Sequence, residues 1–405
     1  MIWLVALIVL YIITRLAFLL CLPMGDAPDE LYHLTVAEFL KMYGRLPTLA
    51  EVKAGGDHFV YGTLPALGYV PNSILGFIGS YALPDTPFRL VSRFGTMLAG
   101  LPGVIAAYYA GRELFGRRIS SLVLPLLVVF HPQLAFTEGY TNTDALVSSL
   151  CSMNFYLVAK GYRMPTTVPI AAFMGFLTGL AVLSKTNALA VVPALMLAVY
   201  MTGKRPWQAL IAFCGMTGVL VVPYWLRNYF VQKGDVLGSR TMYENWIKIL
   251  PRKDGQVVHP WPALHTIGWW RYMLFDFFGL YGLMDKYLWR PFYFIFLGGV
   301  VLALWGHVKT RYTWGVLQRG PLGIYALALL LNFAATIYAT YSNTTGPHGR
   351  YLFPCEIPIF ALMLSGFERL GTKATMWLSC AMIGLFATAM SMGWIWYYSM
   401  HQWFE

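Results

Sequence analysis

Charge is what this 405-residue chain has least of. Asp, Glu, Lys and Arg together make up 12% of its positions, about half of what soluble domains carry. Hydrophobic residues reach 58% and mean hydropathy is +0.57. That balance excludes an ordinary soluble fold and a disordered chain, and it implies a polytopic membrane protein. Cysteine is sparse and ungrouped. Cys21, Cys151, Cys214, Cys355 and Cys380 lie within or at the edges of apolar stretches, with no CxxC spacing. They suit neither a disulfide framework nor a zinc site. There is no HExxH, and no two histidines sit at helical spacing with a third ligand in range; Asp57-His58 comes nearest to a metal pair. No metal and no other cofactor is expected. Met1, Ile2 and Trp3 supply no basic n-region, and no small-x-small site precedes the first polar loop, so residues 2–22 read as a retained span. Internal repeats, low-complexity tracts and soluble domain boundaries are missing too. The chain reads as one integral-membrane domain, 1–405.

What is present is apolar runs long enough to cross a hydrocarbon core as helices. They fall near 2–22, 90–111, 120–137, 143–159, 167–184, 186–203, 207–226, 287–306, 321–341, 351–367 and 374–398, which predicts an all-α bundle of about eleven spans. Alternate connections hold Arg112, Arg117 and Arg118; Lys160 and Arg163; Lys204 and Arg205; Lys309, Arg311 and Arg319; and Arg369 and Lys373. These twelve basic residues face only two acids, Glu113 and Glu368, and so mark the cytoplasmic side. The net charge of +11 is thereby a topology signal, and no nucleic-acid partner is implied. The N-terminus falls inside, and two long polar segments, 23–89 and 227–286, fall outside as loops. An apolar piece at 63–82, broken by Pro65, Gly68, Pro71, Gly76 and Gly79, reads as interfacial or re-entrant, because a true span there would invert every later loop.

The unusual polar residues gather on the external side. MGDAPDELYH follows the first span at once and carries Asp26, the adjacent carboxylates Asp29 and Glu30, and His33. Carboxylates pinned at the mouth of a transmembrane helix suit acid–base work on a substrate at the membrane surface. A first loop that merely needs to be polar is the alternative. Asn142 and Asp144 lie in EGYTNTDALV, Lys185 and Asn187 between the fifth and sixth runs, Arg227 and Asn228 after the seventh, and His348 and Arg350 in GPHGRYLFP. The run from Val168 to Leu183 is about 24 Å long as a helix, short of a hydrocarbon core. Lys185 should therefore sit below the surface, beside an anion or water, unless it snorkels. Arg227 and Arg350 are either interfacial anchors or, with Lys185, a cationic cavity for a phosphate or diphosphate headgroup. Tyr61, Tyr224, Trp225, Trp269 and Trp270 fit either a sugar-stacking surface or an interfacial belt. Arg15, inside the first span, either snorkels or meets a carboxylate. His58, His259 and His265 also fall outside, and Asn343-Thr344-Thr345 is a formal glycosylation sequon.

PDELYH (28–33), TNTDAL (141–146), GLAVLSKTNAL (179–189), WLRNYFVQKGDVLG (225–238) and GRYLFP (349–354) together resemble the GT-C glycosyltransferases. These are polytopic enzymes that use polyprenyl-phosphate-linked sugars. Within them the chain is most similar to the bacterial DUF2142 branch. The stretch YGTLPALGYVP (61–71) departs from the Pro-Pro-Leu-Tyr-like sequence common there. The resemblance implies a GT-C-like bundle with an external juxtamembrane layer in the bacterial inner membrane. It also implies a polyprenyl-phosphate sugar donor, undecaprenyl phosphate being the expected lipid, and a glycan, lipid or protein acceptor. The family's first-loop acidic motif falls on Asp29 as general base, with Glu30 positioning the acceptor or sharing the proton. Lys185, Arg227, Arg350 and His348 would hold the donor phosphate, and His33, Tyr61, Asn142, Asp144 and Asn228 would contact substrate. Direct attack on the anomeric carbon would invert it, and single-sugar donors in this class generally need no metal. Other readings are a polymerase or ligase of polyprenyl-linked oligosaccharide, a lipid-linked-sugar flippase, and a non-catalytic membrane subunit. A flippase should show inverted repeats and broken helices at the midplane.

Overall fold

The computed structural model describes residues 2–249, 267–309, 320–343 and 348–401. His259, His265, Arg311, Arg319, the side chains of Asp57, His58 and Asn343, and Thr344 and Thr345 of the sequon lie outside the described residues. Apart from one two-residue β pair, Leu280–Tyr281 (β1) against Lys286–Tyr287 (β2), the regular structure among the described residues is helical.

Helix α1 (Ile2–Cys21) shows why. Leu7, Tyr11, Thr14, Arg15 and Phe18 are buried along one stripe, whereas Val5, Val9 and Ile13 stay exposed on the other face. That spacing sets one side of a helix against the bundle and leaves the other for lipid. A short helix α2 (Glu30–Tyr43) stops at Gly44, whose φ is 62°. Helix α3 (Leu49–Ala54) starts with a reciprocal cap between Thr48 and Glu51. Helix α4 covers Val70–Ala82 only. Its 13 residues extend about 20 Å, too short to cross a core of roughly 30 Å. It packs along α5 (Phe88–Phe115).

The run at 120–137 is not one helix. It breaks at His131 into α6 (Ser120–Phe130) and α7 (Pro132–Thr137), because Pro132 has no amide proton to continue the ladder and suits a helix start. The bundle continues with α8 (Asp144–Gly161), α9 (Val168–Ser184), α10 (Val192–Thr202) and α11 (Pro206–Val231). Helices α12 (Ser239–Ile249) and α13 (Ile267–Phe278) follow. The last four are α14 (Arg290–Lys309), α15 (Pro321–Asn343), α16 (Glu356–Leu370) and α17 (Thr372–His401). Among the described residues seven helices are long and apolar enough to cross a membrane, and Ser120–Phe130, Val168–Ser184 and Thr186–Thr202 are shorter apolar helices. The chain is a multi-pass membrane protein.

The two ends of the bundle differ in chemistry. Arg112, Lys160 and Arg369 close the C-terminal turns of α5, α8 and α16. Arg118–Glu368 at 2.6 Å and Arg163–Glu113 at 3.4 Å tie those ends together. The opposite ends of the same helices carry Arg93, Asp144 and the turn containing Arg350. The basic loops and the unusual polar residues thus occupy opposite poles.

Candidate active site

Pro28 and Asp29 end the polar turn that leads into α2. Asp29 has φ 60° and ψ 7°, in the left-handed region, and makes no side-chain cap bond. Aspartate tolerates this conformation better than most residues, at some cost in strain. A capping aspartate would turn its carboxylate back on the helix amides. Asp29 instead points outward and meets Arg350, with Nη2 3.1 Å from Oδ2. Its side chain keeps 24% exposure against 7% for Arg350, so the carboxylate is the accessible member of the pair.

Arg350 projects from a 3-10 turn, Gly349–Cys355. Its Nη1 donates to Tyr140 Oη at 3.2 Å and its backbone N–H to Asp276 Oδ2 at 3.2 Å. Its Nε is buried without a hydrogen-bond partner. Asp276, on α13, also takes Gln133 Nε2 at 3.4 Å and lies 3.8 Å from His348 Nδ1. Burial raises the Asp276 carboxyl to about 6, opposed mainly by Arg350. The turn can approach α13 this closely only because residue 349 is glycine. A Cβ there would lie 2.1 Å from Phe277 N and 2.4 Å from Met273 O.

The second pair joins Lys185, just past α9, to Asp144 at the start of α8. Asp144 is 1% exposed and Lys185 22% at the side chain. Asn142 shapes the turn ahead of them: its Oδ1 accepts the Asp144 N–H at 2.7 Å and its Nδ2 donates to Tyr140 O at 2.9 Å. Lys185 Nζ also lies 5.3 Å from the centre of the Tyr351 ring, and Asn187 Nδ2 donates to Tyr351 O at 3.3 Å.

His33 connects the pairs to the first loop. Its Nδ1 is 2.5 Å from Tyr69 Oη and its ring 4.8 Å from that of Tyr61. Burial, with Lys185 and Arg350 nearby, lowers it to about 3. His348 is likewise lowered to about 3, by burial and Arg350. Both imidazoles are neutral near pH 7, so His348 offers a hydrogen bond and no charge. Asp29, Asp144 and Asp276 also act together on buried Tyr140. Asp29, Arg350, Asp144, Lys185, Asp276, His33, His348, Tyr61 and Tyr140 therefore make one electrostatic cluster.

Three expected residues are placed elsewhere. Glu30 does not face the open side. Its carboxylate is 1% exposed as a residue and grips Arg93 through two 2.7 Å bonds. Arg227 donates to Pro47 O and, at 3.0 Å, to Asn228 Oδ1. Asn228 Nδ2 donates to Val236 O at 3.0 Å. The 225–238 motif clasps the first loop to the segment after α11, because Gln232 Nε2 also donates to Thr63 O at 3.0 Å. Arg15 meets a carboxylate: Nε is 2.6 Å from Glu138 Oε2, with Nη2 3.3 Å from Val128 O. Asp276, Tyr140 and Arg93 are the members that sequence reasoning missed. The signal for Arg93 was a charge three residues inside a run read as 90–111; Asp276 and Tyr140 carried none. No group of three or more metal-ligating side chains occurs among the described residues.

Residues 88–225 match the protein family described as dolichyl-phosphate-mannose-protein mannosyltransferase. No curated protein matches. Among solved structures, ArnT from Cupriavidus metallidurans in the apo state aligns over 90% of this chain and 60% of its own, at 15% identity and a TM-score of 0.55. The chain thus spans about six tenths of that relative. ArnT bound to undecaprenyl phosphate aligns over 95% of this chain and 75% of its own, with the same identity and score. The Archaeoglobus fulgidus oligosaccharyltransferase complex with Zn and sulfate aligns over 94% and 52%, at 13% identity and a TM-score of 0.54. The helical bundle that holds the Asp29–Arg350 and Asp144–Lys185 pairs shares its GT-C-like fold with these ArnT and oligosaccharyltransferase structures.

Proposed function

We propose that this chain is a glycosyltransferase that moves a sugar from a polyprenyl-phosphate donor to an acceptor at the outer face of a bacterial cytoplasmic membrane. The observation that carries this reading is the Asp29–Arg350 contact. It puts an accessible carboxylate beside a guanidinium, in a fold shared with a protein solved with undecaprenyl phosphate. A lipid phosphate is already a good leaving group. The reaction needs a base for the acceptor and cations for the departing phosphate.

Asp29 takes the proton from an acceptor hydroxyl or amine as its lone pair attacks the anomeric carbon. The bond from that carbon to the phosphate oxygen breaks on the opposite side, inverting the centre, and the electron pair leaves with the lipid phosphate. Arg350 and Lys185 neutralise that phosphate, with His348 as a neutral donor. Tyr61 and His33 face the sugar and acceptor. Arg227 and Asn228 serve the loop clasp. Placement in the DUF2142 branch rests on the five strings quoted above.

A second reading, transfer of a whole oligosaccharide, draws on the likeness to the archaeal oligosaccharyltransferase. One experiment separates them. The full chain in nanodiscs is given a panel of undecaprenyl-phosphate monosaccharides and undecaprenyl-diphosphate oligosaccharides, with envelope extract as acceptor and EDTA in a parallel arm. Release of undecaprenyl phosphate from a monosaccharide donor, lost in Asp29→Asn while donor binding persists, supports the proposal. Turnover surviving in Asp29→Asn removes Asp29 as the base, and release from oligosaccharide donors alone favours the second reading.

A further inference from the structure

We propose that the buried Glu30–Arg93 pair is a positioning unit that aims both Asp29 and Asp144, and that Glu30 itself never meets substrate. The inference rests on the glycosyl-transfer reading of the site, but its geometry can be tested apart from activity.

Glu30 is saturated from inside. Oε1 accepts from Arg93 Nε at 2.7 Å and from the Thr141 backbone N–H at 3.2 Å, and Oε2 accepts from Arg93 Nη2 at 2.7 Å. A proton-transfer group must come within hydrogen-bond reach of its substrate. A carboxylate 0% exposed at its side chain and filled by arginine cannot.

Arg93 spends its remaining donors on the end of α1. Nη1 donates to Leu22 O at 2.7 Å and to Leu19 O at 3.2 Å, carbonyls that a helix end leaves without amide partners. One guanidinium thus bolts the end of α1 to the first residue of α2. The turn between them includes Gly25 at φ 85° and Asp29 at φ 60°, so its direction depends on how both ends are held. On the far side, Thr141 opens the turn that delivers Asp144. Its hydroxyl donates to Ser92 Oγ at 3.0 Å, next door to Arg93. Asp29 is one residue from Glu30, and Asp144 is three from Thr141. Both carboxylates that hold the site cations hang from one buried acid.

Polar support of this kind keeps reacting groups within the fraction of an ångström that catalysis tolerates. A misplacement of about 1 Å costs on the order of 100-fold in rate. Breaking a buried pair also strands a charge, so the isosteric Glu30→Gln is the milder probe and Arg93→Lys the stronger.

Both variants would be made in the full chain in nanodiscs. Two measurements apply: transfer kinetics at saturating donor and acceptor, and an electron cryo-microscopy map of each variant. The expected result is a kcat lower by about 10- to 100-fold, a donor KM within about two-fold, and an Asp29–Arg350 separation lengthened beyond hydrogen-bond distance in the Arg93→Lys map. Two outcomes overturn the proposal. One is an unchanged Asp29–Arg350 contact in both maps. The other is Glu30→Gln as dead as Asp29→Asn beside a fully active Arg93→Lys, which would make Glu30 a chemical participant. Wild-type protein inactive with every donor would count against glycosyl transfer, and the maps would still decide the positioning role. If Arg93→Lys fails to fold, Glu30→Gln decides alone.

Discussion

Lys185 and Asp144, 41 residues apart, form an ion pair whose two halves are unequally buried: 22% of the lysine side chain is exposed but only 1% of the aspartate. Removing either partner therefore has a different price. Lys185→Met strands a carboxylate away from water, whereas Asp144→Asn leaves an ammonium that still reaches solvent. We predict that Lys185→Met lowers stability by about 3 kcal/mol and Asp144→Asn by about 1–2, short of the 3–5 kcal/mol typical of a fully buried pair. Unfolding in mixed micelles of both singles and the double variant gives the coupling. Equal losses with zero coupling would show that the pair does not stabilise the fold.

Arg227 and Arg350 should respond differently to substitution. Arg350 faces the accessible carboxylate of Asp29, and Arg227 is engaged at Pro47. A charged hydrogen bond is worth about 1.5–3 kcal/mol, so on the proposed transferase reading Arg350→Met should weaken undecaprenyl phosphate binding roughly 10- to 100-fold. Arg227→Met should change it less than about three-fold. Retention of labelled lipid on the nanodisc-embedded protein measures both, and a large effect of Arg227→Met would restore it to the phosphate site.

The acid side of the stability profile should show two opposed contributions. Asp276 has a folded-state value of about 6 against an ordinary 3.8. The folded protein thus holds more protons in that window, and this contribution to stability falls as pH rises through it. His33 and His348 go the other way. Lowered from 6.5 to about 3, they contribute stability above pH 6.5 that fades as pH falls toward 3. Asp276→Asn should remove only the first contribution. Its thermal midpoint should rise more steeply with pH between about 4 and 6 than that of the wild type, and parallel profiles would contradict the assignment.

Gly349→Ala tests the closeness of the Arg350 turn to α13. The added carbon would lie 2.1 Å from a backbone nitrogen, and backbone cannot rotate away as a side chain can. Loss of folded yield, or folded protein with donor binding as weak as in Arg350→Met, is expected. Wild-type binding and yield would mean that α13 moves freely.

Asp29, Asp144, Lys185 and Arg350 were legible in the sequence because a charge beside an apolar run is costly and needs a reason. Their pairing was not. Asp29 and Arg350 are 321 residues apart, and no local pattern encodes which acid faces which cation. The adjacency of Asp29 and Glu30 misled for a local reason: the left-handed backbone at Asp29 sends consecutive side chains to different environments. Asp276 hid in the aromatic stretch IGWWRYMLFDFF, which reads as interfacial belt. The break at His131 was signalled by Pro132, yet hydropathy alone runs straight through it.

Arg15 has a consequence for how the protein is made. Its partner Glu138 comes 123 residues later in the chain. During synthesis α1 enters the membrane before Glu138, its partner in the folded protein, has been made. A central arginine opposes insertion by about 2.5–3.5 kcal/mol, and the helix meets that penalty with its own apolar residues, at a mean hydropathy of 2.6. The later arrival of α6 and α7 then converts a liability into an anchor. The order of translation, as much as the finished contact, explains why the most hydrophobic of the seven candidate spans among the described residues is the one that carries Arg15.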